Sequence, residues 1–173
     1  MATFVDKLEV AKTAVLFIEY QNEFCTEGGK MYPAVKSVLD ATNMLHNSKQ
    51  LIEVARAKGI KVLHAPITFS DDFRELATDN LYGILANIKA GNAFLASDWG
   101  GNIIDSMAPV GQDIVVQGKR GLCAFTSTNL DFILRQNGIE TLILCGFLTN
   151  CCVESTMRTA YEKGMCMSDS MRW

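Results

Sequence analysis

The sequence has little of what marks nucleic-acid-binding, secreted or membrane proteins. Its 173 residues carry 16 Lys and Arg against 19 Asp and Glu, a formal net charge of −3 without any basic run. Phosphate backbones and anionic lipids would find little to bind, so we expect neither nucleic acid nor membrane as a partner. No apolar segment reaches the roughly 20 residues of a membrane span, and the first residues lack a signal-peptide pattern. These absences predict a cytoplasmic protein.

The six cysteines do not form a disulfide pattern. They occur in apolar runs, at positions 25, 123, 145, 151, 152 and 166. In a chain without a secretory signal, such cysteines are expected to be free thiols. Each one is therefore a small buried apolar residue unless a further observation argues for a function.

The order of apolar segments predicts an α/β fold. Four short apolar runs read as buried strands, at residues 13–18, 60–66, 113–117 and 141–146. Helical spacing of apolar residues indicates helices at residues 33–58, 127–137 and 151–163. Strands that alternate with helices build a parallel sheet, and 173 residues suit one domain spanning residues 1–173.

Two segments depart from this alternation. Residues 67–109 mix Gly, Asn and Asp with aromatic residues, which predicts a long excursion with short helices near the functional face. Its aromatic side chains are candidates for a pocket wall or for the core: Phe69, Phe73, Tyr82, Phe94 and Trp99. After Gly164 the rhythm requires another strand and a closing helix, but the chain ends in MCMSDSMRW. We therefore expect the final edge strand and helix to be missing.

Three polar residues follow predicted strands, and together they suit nucleophilic catalysis. Glu19 follows the first strand, Lys119 the third and Cys152 the fourth. Ligands of open parallel sheets bind at the carboxyl ends of the strands. A thiol becomes a strong nucleophile when a nearby base or cation favours the thiolate, and a carboxylate can relay protons to the leaving group. Cys152 opening a helix would add a positive dipole end. Taken singly, Cys152 could be structural and Lys119 a solvated lysine.

Three ordered segments resemble the isochorismatase-like hydrolase family. Residues 18–24 (IEYQNEF) resemble the family's first-strand signature, in which Asp usually stands where this chain has Glu19. Residues 119–130 (KRGLCAFTSTNL) resemble its lysine segment, and residues 146–156 (GFLTNCCVEST) resemble its nucleophile turn. The resemblance covers residues 13–164 and implies a three-layer, doubly wound sheet with helices on both faces.

The resemblance also implies roles for individual residues. Cys152 takes the place of the nucleophile, Lys119 that of its electrostatic partner and Glu19 that of the proton-transferring acid. A cis peptide bond between Phe147 and Leu148 is implied, with the backbone N–H groups of Leu148 and Cys152 as the oxyanion hole. Candidate substrate-binding residues are Asn22, Phe24, Phe125 and Phe147. We expect Gln21 and Asn22 to support the adjoining loop.

Metal binding is not predicted. Nicotinamidase-type members of the family use an Asp and nearby histidines as zinc ligands, whereas this sequence has two histidines and lacks their Asp-x-His pattern. His46 is expected on the surface of a helix and His64 at the end of a strand. We therefore predict neither a metal site nor a cofactor.

The resulting hypothesis is a cysteine hydrolase that cleaves a small amide or ureido C–N bond through an acyl-enzyme on Cys152. The family resemblance implies a small-molecule substrate and a homo-oligomer, either a dimer or a tetramer. Glu19 in place of Asp and the short end leave open an inactive member that serves as a binding or assembly subunit. The adjacent Cys151 and Cys152 raise a third alternative, a thiol redox protein, but vicinal cysteines form strained bridges.

Overall fold

A parallel five-stranded sheet forms the centre of the computed structural model, which describes residues 8–168. The strands are β1 (Thr13–Ile18), β2 (Lys61–Ala65), β3 (Ile114–Val115), β4 (Thr141–Gly146) and β5 (Cys166–Ser168). Their spatial order is β3-β2-β1-β4-β5, and every pairing is parallel. The chain moves outward on one side of β1 and then returns to the other, so strand order reverses between β1 and β4. This junction is where open sheets bind ligands.

Helices cover both faces of the sheet, which confirms the predicted doubly wound, three-layer fold. The α-helices are α1 (Asn22–Cys25), α2 (Tyr32–Thr42), α3 (Met44–Ala57), α4 (Gly83–Ala90), α5 (Leu130–Gln136) and α6 (Glu154–Glu162). Within residues 8–168, each helix is too short or too polar to cross a bilayer.

Alternation along β1 divides the apolar core into two layers. Val15 and Phe17 pack with the α2 and α3 face, whereas Ala14, Leu16 and Ile18 pack with the α5 and α6 face. Successive side chains of a strand point to opposite faces, and all six residues of β1 are buried. The strand is therefore the centre of both core layers and fixes the position of the residue that follows it.

The helix predicted over residues 33–58 is two helices. Asn43 adopts a left-handed conformation with φ of 51° between α2 and α3. The Asn47 side chain donates a hydrogen bond to the carbonyl of Thr42 (3.0 Å), which satisfies one backbone group that the break exposes. Asn tolerates this conformation better than most residues, and apolar spacing runs across the break without marking it.

The chain end also differs from the prediction. A final edge strand was expected to be missing, but β5 pairs with residues 141–143 of β4. Strand pairing uses backbone groups, so a sequence without β-branched residues can complete it where a neighbouring strand offers an open ladder. The expected absence of a closing helix lies outside the described residues.

The remaining predicted elements keep their places with shorter bounds. Strand β3 has two residues instead of five, and α5 begins at Leu130. The excursion of residues 67–109 contains α4 and two 3-10 turns, Trp99–Gly101 and Asp105–Met107. The expectation of short helices there is confirmed.

Candidate active site

The structure brings Glu19, Lys119 and Cys152 together at the junction between β1 and β4. The Lys119 ammonium forms an ion pair with the Glu19 carboxylate and lies 3.8 Å from the Cys152 Sγ. The side chains of the pair are nearly inaccessible, with exposed fractions of 3% for Glu19 and 0% for Lys119. Cys152 is buried as well. An acid, a cation and a thiol therefore share one desolvated site.

An unusual backbone conformation directs Glu19 into the site. Its φ is 60°, in the left-handed region that most residues other than Gly, Asn and Asp avoid. The Glu19 N–H donates to the Ala65 carbonyl (3.2 Å), and its own carbonyl accepts the Gln21 N–H (2.7 Å). These bonds hold a strained residue at the strand end, and such strain clusters at functional sites.

Lys119 is fixed by two acceptors. Besides the Glu19 carboxylate, its ammonium donates a hydrogen bond to the Gly121 carbonyl (2.6 Å). A fully buried ammonium is costly unless it is paired and hydrogen-bonded. The arrangement keeps the charge in place next to the thiol.

Cys152 lies in a π-helical turn, Thr149–Val153, rather than at the start of an α-helix as predicted. The Val153 N–H donates to the Leu148 carbonyl (3.2 Å), five residues back, and α6 begins only at Glu154. π-Helical turns are rare in proteins overall, and those that occur are often found at functional sites. The preceding Phe147-Leu148 peptide bond is cis, as the family resemblance implied.

Thr156 links the cysteine turn to the lysine loop, a role that the sequence analysis did not assign. Its hydroxyl donates to the Cys152 carbonyl (2.7 Å) and accepts the Ala124 N–H (2.9 Å). The side chain is fully buried. The signal was present in the sequence, since this threonine stands four residues after Cys152 within the family-like turn.

Burial keeps the Cys152 thiol protonated. Desolvation, followed by the charge of Glu19, raises the pKa of Cys152 to about 12, and Lys119 opposes this shift. Desolvation also raises the pKa of the Glu19 carboxyl, again against the effect of Lys119. The net shift of the Cys152 pKa is upward because a buried anion beside a carboxylate costs more than a single ammonium recovers.

A cavity of about 140 Å³ opens beside the thiol. Glu19, Cys152 and Leu148 contribute to its wall at the end nearest the thiol. Elsewhere the wall is mainly apolar, with contributions from Phe24, Val35, Ile67, Ile84, Ile88 and Phe94. The site therefore combines a small reactive end with an apolar chamber.

The four candidate substrate-binding residues have different positions. Phe24 lines the cavity, and Phe147 stacks on its ring with centroids 5.0 Å apart. Phe125 instead belongs to the core layer of α5 and α6. Asn22 donates to the Trp99 carbonyl (2.9 Å) and accepts a bond from Thr26 (2.8 Å). Only Phe24 among these four is part of the described cavity wall.

Polar residues after β1 hold the excursion against the sheet. Gln21 donates to the carbonyls of Ile67 and Gly101 (both 2.7 Å) and accepts the Ile67 N–H (2.9 Å). The expectation that Gln21 and Asn22 support the adjoining loop is confirmed. Glu23, which sequence reasoning missed, is buried and accepts the backbone N–H groups of Lys30 (2.6 Å) and Phe94 (3.3 Å).

The aromatic residues of the excursion divide between wall, core and surface. Phe94 lines the cavity. Phe69 and Phe73 are buried in the core, with ring centroids 5.6 Å apart. Tyr82 and Trp99 are exposed. The expected role as pocket wall is therefore confirmed for Phe94, and the expected role as core is confirmed for Phe69 and Phe73.

The trio includes neither histidine and, of the six cysteines, Cys152 alone. His46 is exposed, as predicted, and His64 is buried within β2. Within residues 8–168, no three His, Cys, Asp or Glu side chains are grouped so that they could hold a metal ion. All six cysteines are free thiols, including the adjacent Cys151 and Cys152, which confirms the expectation from their sequence context.

Comparisons with known proteins agree with this geometry. Residues 13–167 match the sequence model of the isochorismatase domain. A ureidoacrylate amidohydrolase of Rhizobium rhizogenes is 30% identical over 165 residues, which cover 90% of this chain and 67% of the relative.

Two solved structures are also similar. A cysteine hydrolase from Pseudomonas syringae pv. phaseolicola has a TM-score of 0.80 and 26% identity, covering 92% of this chain and 70% of its own. An N-carbamoylsarcosine amidase from Thermoplasma acidophilum has a TM-score of 0.71 and 27% identity. The match covers 90% of this chain and 79% of the amidase chain.

Proposed function

Because the chain belongs to the isochorismatase family, we propose that it cleaves the C–N bond of a small amide or ureido compound through an acyl-enzyme on Cys152. The relatives are cysteine hydrolases and amidohydrolases, so the family and the enzyme class expected from the sequence are confirmed. The observation that carries the residue roles is the contact of the buried Glu19–Lys119 pair with the Cys152 thiol.

Acylation begins with a proton transfer. The Cys152 thiol is neutral at rest, so Glu19 accepts its proton as Sγ attacks the substrate carbonyl. The raised pKa of Glu19 makes the carboxylate a better base than an exposed glutamate. Lys119 stabilises the charge that moves between thiol and carboxylate. The negative oxygen of the tetrahedral intermediate is held by the N–H groups of Leu148 and Cys152.

Collapse of the intermediate breaks the C–N bond. Glu19 returns the proton to the leaving nitrogen, and a thioester remains on Cys152. Glu19 then takes a proton from water, the hydroxide attacks the thioester, and the thiol recovers its hydrogen as the acid leaves. The substrate gains one water in total, and the three side chains return to their starting protonation states.

Replacement of Glu19 by Gln separates catalysis from thiol reactivity. In Glu19→Gln the carboxylate no longer opposes the thiolate, and Lys119 is left to pair with it, so the pKa of Cys152 falls. We expect alkylation of Cys152 by iodoacetamide at pH 7 to become at least tenfold faster. Hydrolysis of an amide panel should fall by a factor of about 10²–10⁴, the usual contribution of a general base.

Mass spectrometry of each cysteine measures the alkylation rates, with the exposed Cys166 as the internal reference. In the parent chain the rate at Cys152 should still rise above pH 9, where an ordinary thiol is already ionised. Hydrolysis equal to the parent in Glu19→Gln would remove Glu19 from the mechanism. Lack of any turnover that depends on Cys152, together with stable oligomers, would favour the binding or assembly subunit.

The proposal also includes the setting of the enzyme. We expect one domain spanning residues 1–173, a cytoplasmic location and a homo-oligomer, either dimer or tetramer. The shared sheet beneath both core layers supports a single domain, and six free thiols suit a reducing compartment. Light scattering after size-exclusion chromatography tests the oligomer, and a monomeric mass would contradict it.

A further inference from the structure

One helix of the excursion supplies three residues to the apolar wall of the cavity beside Cys152. Helix α4 contributes Ile84, Leu85 and Ile88, which follow the spacing of a single helical face. Phe24 and Phe94 contribute on other sides. Asn87 of the same helix is exposed instead. Helix α4 therefore turns three apolar side chains toward the chamber next to Cys152 and leaves a polar side chain in solvent.

We propose that the substrate is a neutral amide or ureido compound with an apolar substituent about as large as a benzene ring, and that Ile84, Leu85 and Ile88 determine this specificity. The inference rests on the proposed function, because it assigns the substrate class of the same site. It adds a role for α4, whose residues touch neither the ion pair nor the thiol in the described contacts.

Size supports this substrate class. The cavity has a volume of about 140 Å³. A protein cavity of about 150 Å³ lined by Leu, Ile and Phe stays dry and binds benzene. A butyl or phenyl group would therefore fill the chamber, whereas a methyl group would leave most of it empty.

Charge supports the same class. A carboxylate inside the apolar wall would lose its hydration without gaining hydrogen bonds. It would also approach the Glu19 carboxylate, which lines the reactive end of the cavity. An uncharged apolar substituent avoids both costs, and its binding removes apolar surface of the cavity wall and of the substrate from water.

Alkylating reagents test the chamber without requiring turnover. Iodoacetamide, N-butyl iodoacetamide and iodoacetate would be compared at one pH, with each Cys152 rate divided by the rate at the exposed Cys166. Each buried methylene should raise the ratio about fourfold, so the butyl reagent should exceed iodoacetamide by more than tenfold. Iodoacetate should fall at least tenfold below iodoacetamide. A ratio for iodoacetate equal to or above that for iodoacetamide would overturn the proposal.

Variants of α4 locate the effect. Ile84→Lys places a cation in the wall and should raise the iodoacetate ratio while lowering the butyl ratio. Asn87→Lys adds the same charge at an exposed position of the same helix and should change neither ratio. Ile84→Ala is a milder second variant that should reduce the butyl preference several-fold. Unchanged ratios in a folded Ile84→Ala and Ile84→Lys would show that α4 does not determine specificity.

Hydrolysis distinguishes failure of this inference from failure of the proposed function. Pentanamide and succinamate have similar sizes, but only succinamate carries a carboxylate. We expect Cys152-dependent turnover of pentanamide with kcat/KM at least tenfold above that of succinamate. Turnover of succinamate alone would overturn the substrate class and leave the hydrolase intact. Turnover of neither amide, combined with the predicted alkylation ratios, would retain the chamber's preference and count against the hydrolase.

Discussion

Two groupings in this chain combine the same kinds of side chain, but the pKa values of their carboxylates are shifted in opposite directions. At the candidate active site, the Lys119–Glu19 ion pair adjoins the neutral thiol of Cys152. In the second grouping, the Arg56–Asp113 ion pair adjoins His64 of β2. The His64 Nε2 lies 3.5 Å from the Asp113 carboxylate. Both places combine a cation, a carboxylate and a titratable group that burial keeps uncharged.

The carboxylates differ because their hydrogen bonds differ. Desolvation raises the pKa of Asp113, but three hydrogen bonds to its Oδ2 lower it. Arg56 donates two of them (2.5 and 3.1 Å), and the Val110 N–H donates the third (3.0 Å). The net shift of the Asp113 pKa is downward. At Glu19 desolvation outweighs Lys119, and the net shift is upward. One carboxylate is a fixed anion and the other can accept a proton. Solvent access separates them too, since 26% of the Arg56 side chain is exposed but none of Lys119.

Removal of the cation should have its largest effect at the active site. Lys119→Met leaves the Glu19 charge buried without its partner, a situation that costs about 3–5 kcal/mol of stability. Hydrolysis should be lost as well. Urea unfolding at pH 8 and pH 5 measures the first effect, which should shrink at pH 5 because Glu19 can then bind a proton. An equal loss of stability at both pH values would contradict this account of Glu19.

The matched change in the second grouping should be milder. Arg56→Met removes two hydrogen bonds from Asp113, which keeps the Val110 N–H, and we expect a loss of about 1–3 kcal/mol. Because these residues lie outside the described catalytic cavity, kcat/KM should equal that of the parent at a temperature where both proteins are folded. A drop in kcat/KM beyond about twofold would show that the two groupings are coupled.

His64 should give the protein an acid-sensitive stability. Burial lowers the pKa of His64, against the effect of Asp113, while Arg56 adds to the lowering; the ring also stacks on Phe17. Below about pH 6.5 the unfolded chain binds a proton that the folded chain refuses, so stability falls as pH falls. The contribution is complete above that pH. The slope from one group is at most about 1.4 kcal/mol per pH unit.

Replacement of His64 by Phe tests this dependence. The free energy of unfolding should lose most of its decline between pH 6.5 and pH 5 in His64→Phe, measured against the parent in the same urea series. His46→Phe is the control, because His46 is exposed on α3. Parent and His64→Phe curves with the same pH dependence in this range would show that His64 is protonated equally in both states.

The contrast between the two groupings also marks what the sequence could predict. Glu19, Lys119 and Cys152 could be placed together because each follows an apolar strand, and parallel strands end at one edge of a sheet. The doubly wound fold follows from the same runs and the family resemblance. Asp113 and Arg56 gave no such signal, since Arg56 lies within a helix and Asp113 in a loop before β3.

The protonation state of Cys152 could not be predicted from its neighbours in the chain. A nearby cation lowers the pKa of a thiol, but the pKa of Cys152 depends first on burial, which is a property of the packed structure. Likewise, the pairing of β5 depends on the open edge of β4, which is a tertiary contact. Helix α4 was hidden within a segment of weak periodicity, although its three wall residues are apolar at helical spacing.

The smallest expected effect comes from exchanging one cation for the other type. Arg56→Lys keeps the charge beside Asp113 but loses the planar pair of donors to its Oδ2, and we expect a loss of about 0.5–1.5 kcal/mol. Lys119→Arg is the counterpart, in which a larger guanidinium must fit a fully buried site shaped for an ammonium. Thermal unfolding of both variants should therefore show the greater loss for Lys119→Arg. Equal losses would mean that the Lys119 side chain is no more tightly enclosed than that of Arg56. Hydrogen bonding alone would then account for the opposite pKa shifts of Glu19 and Asp113.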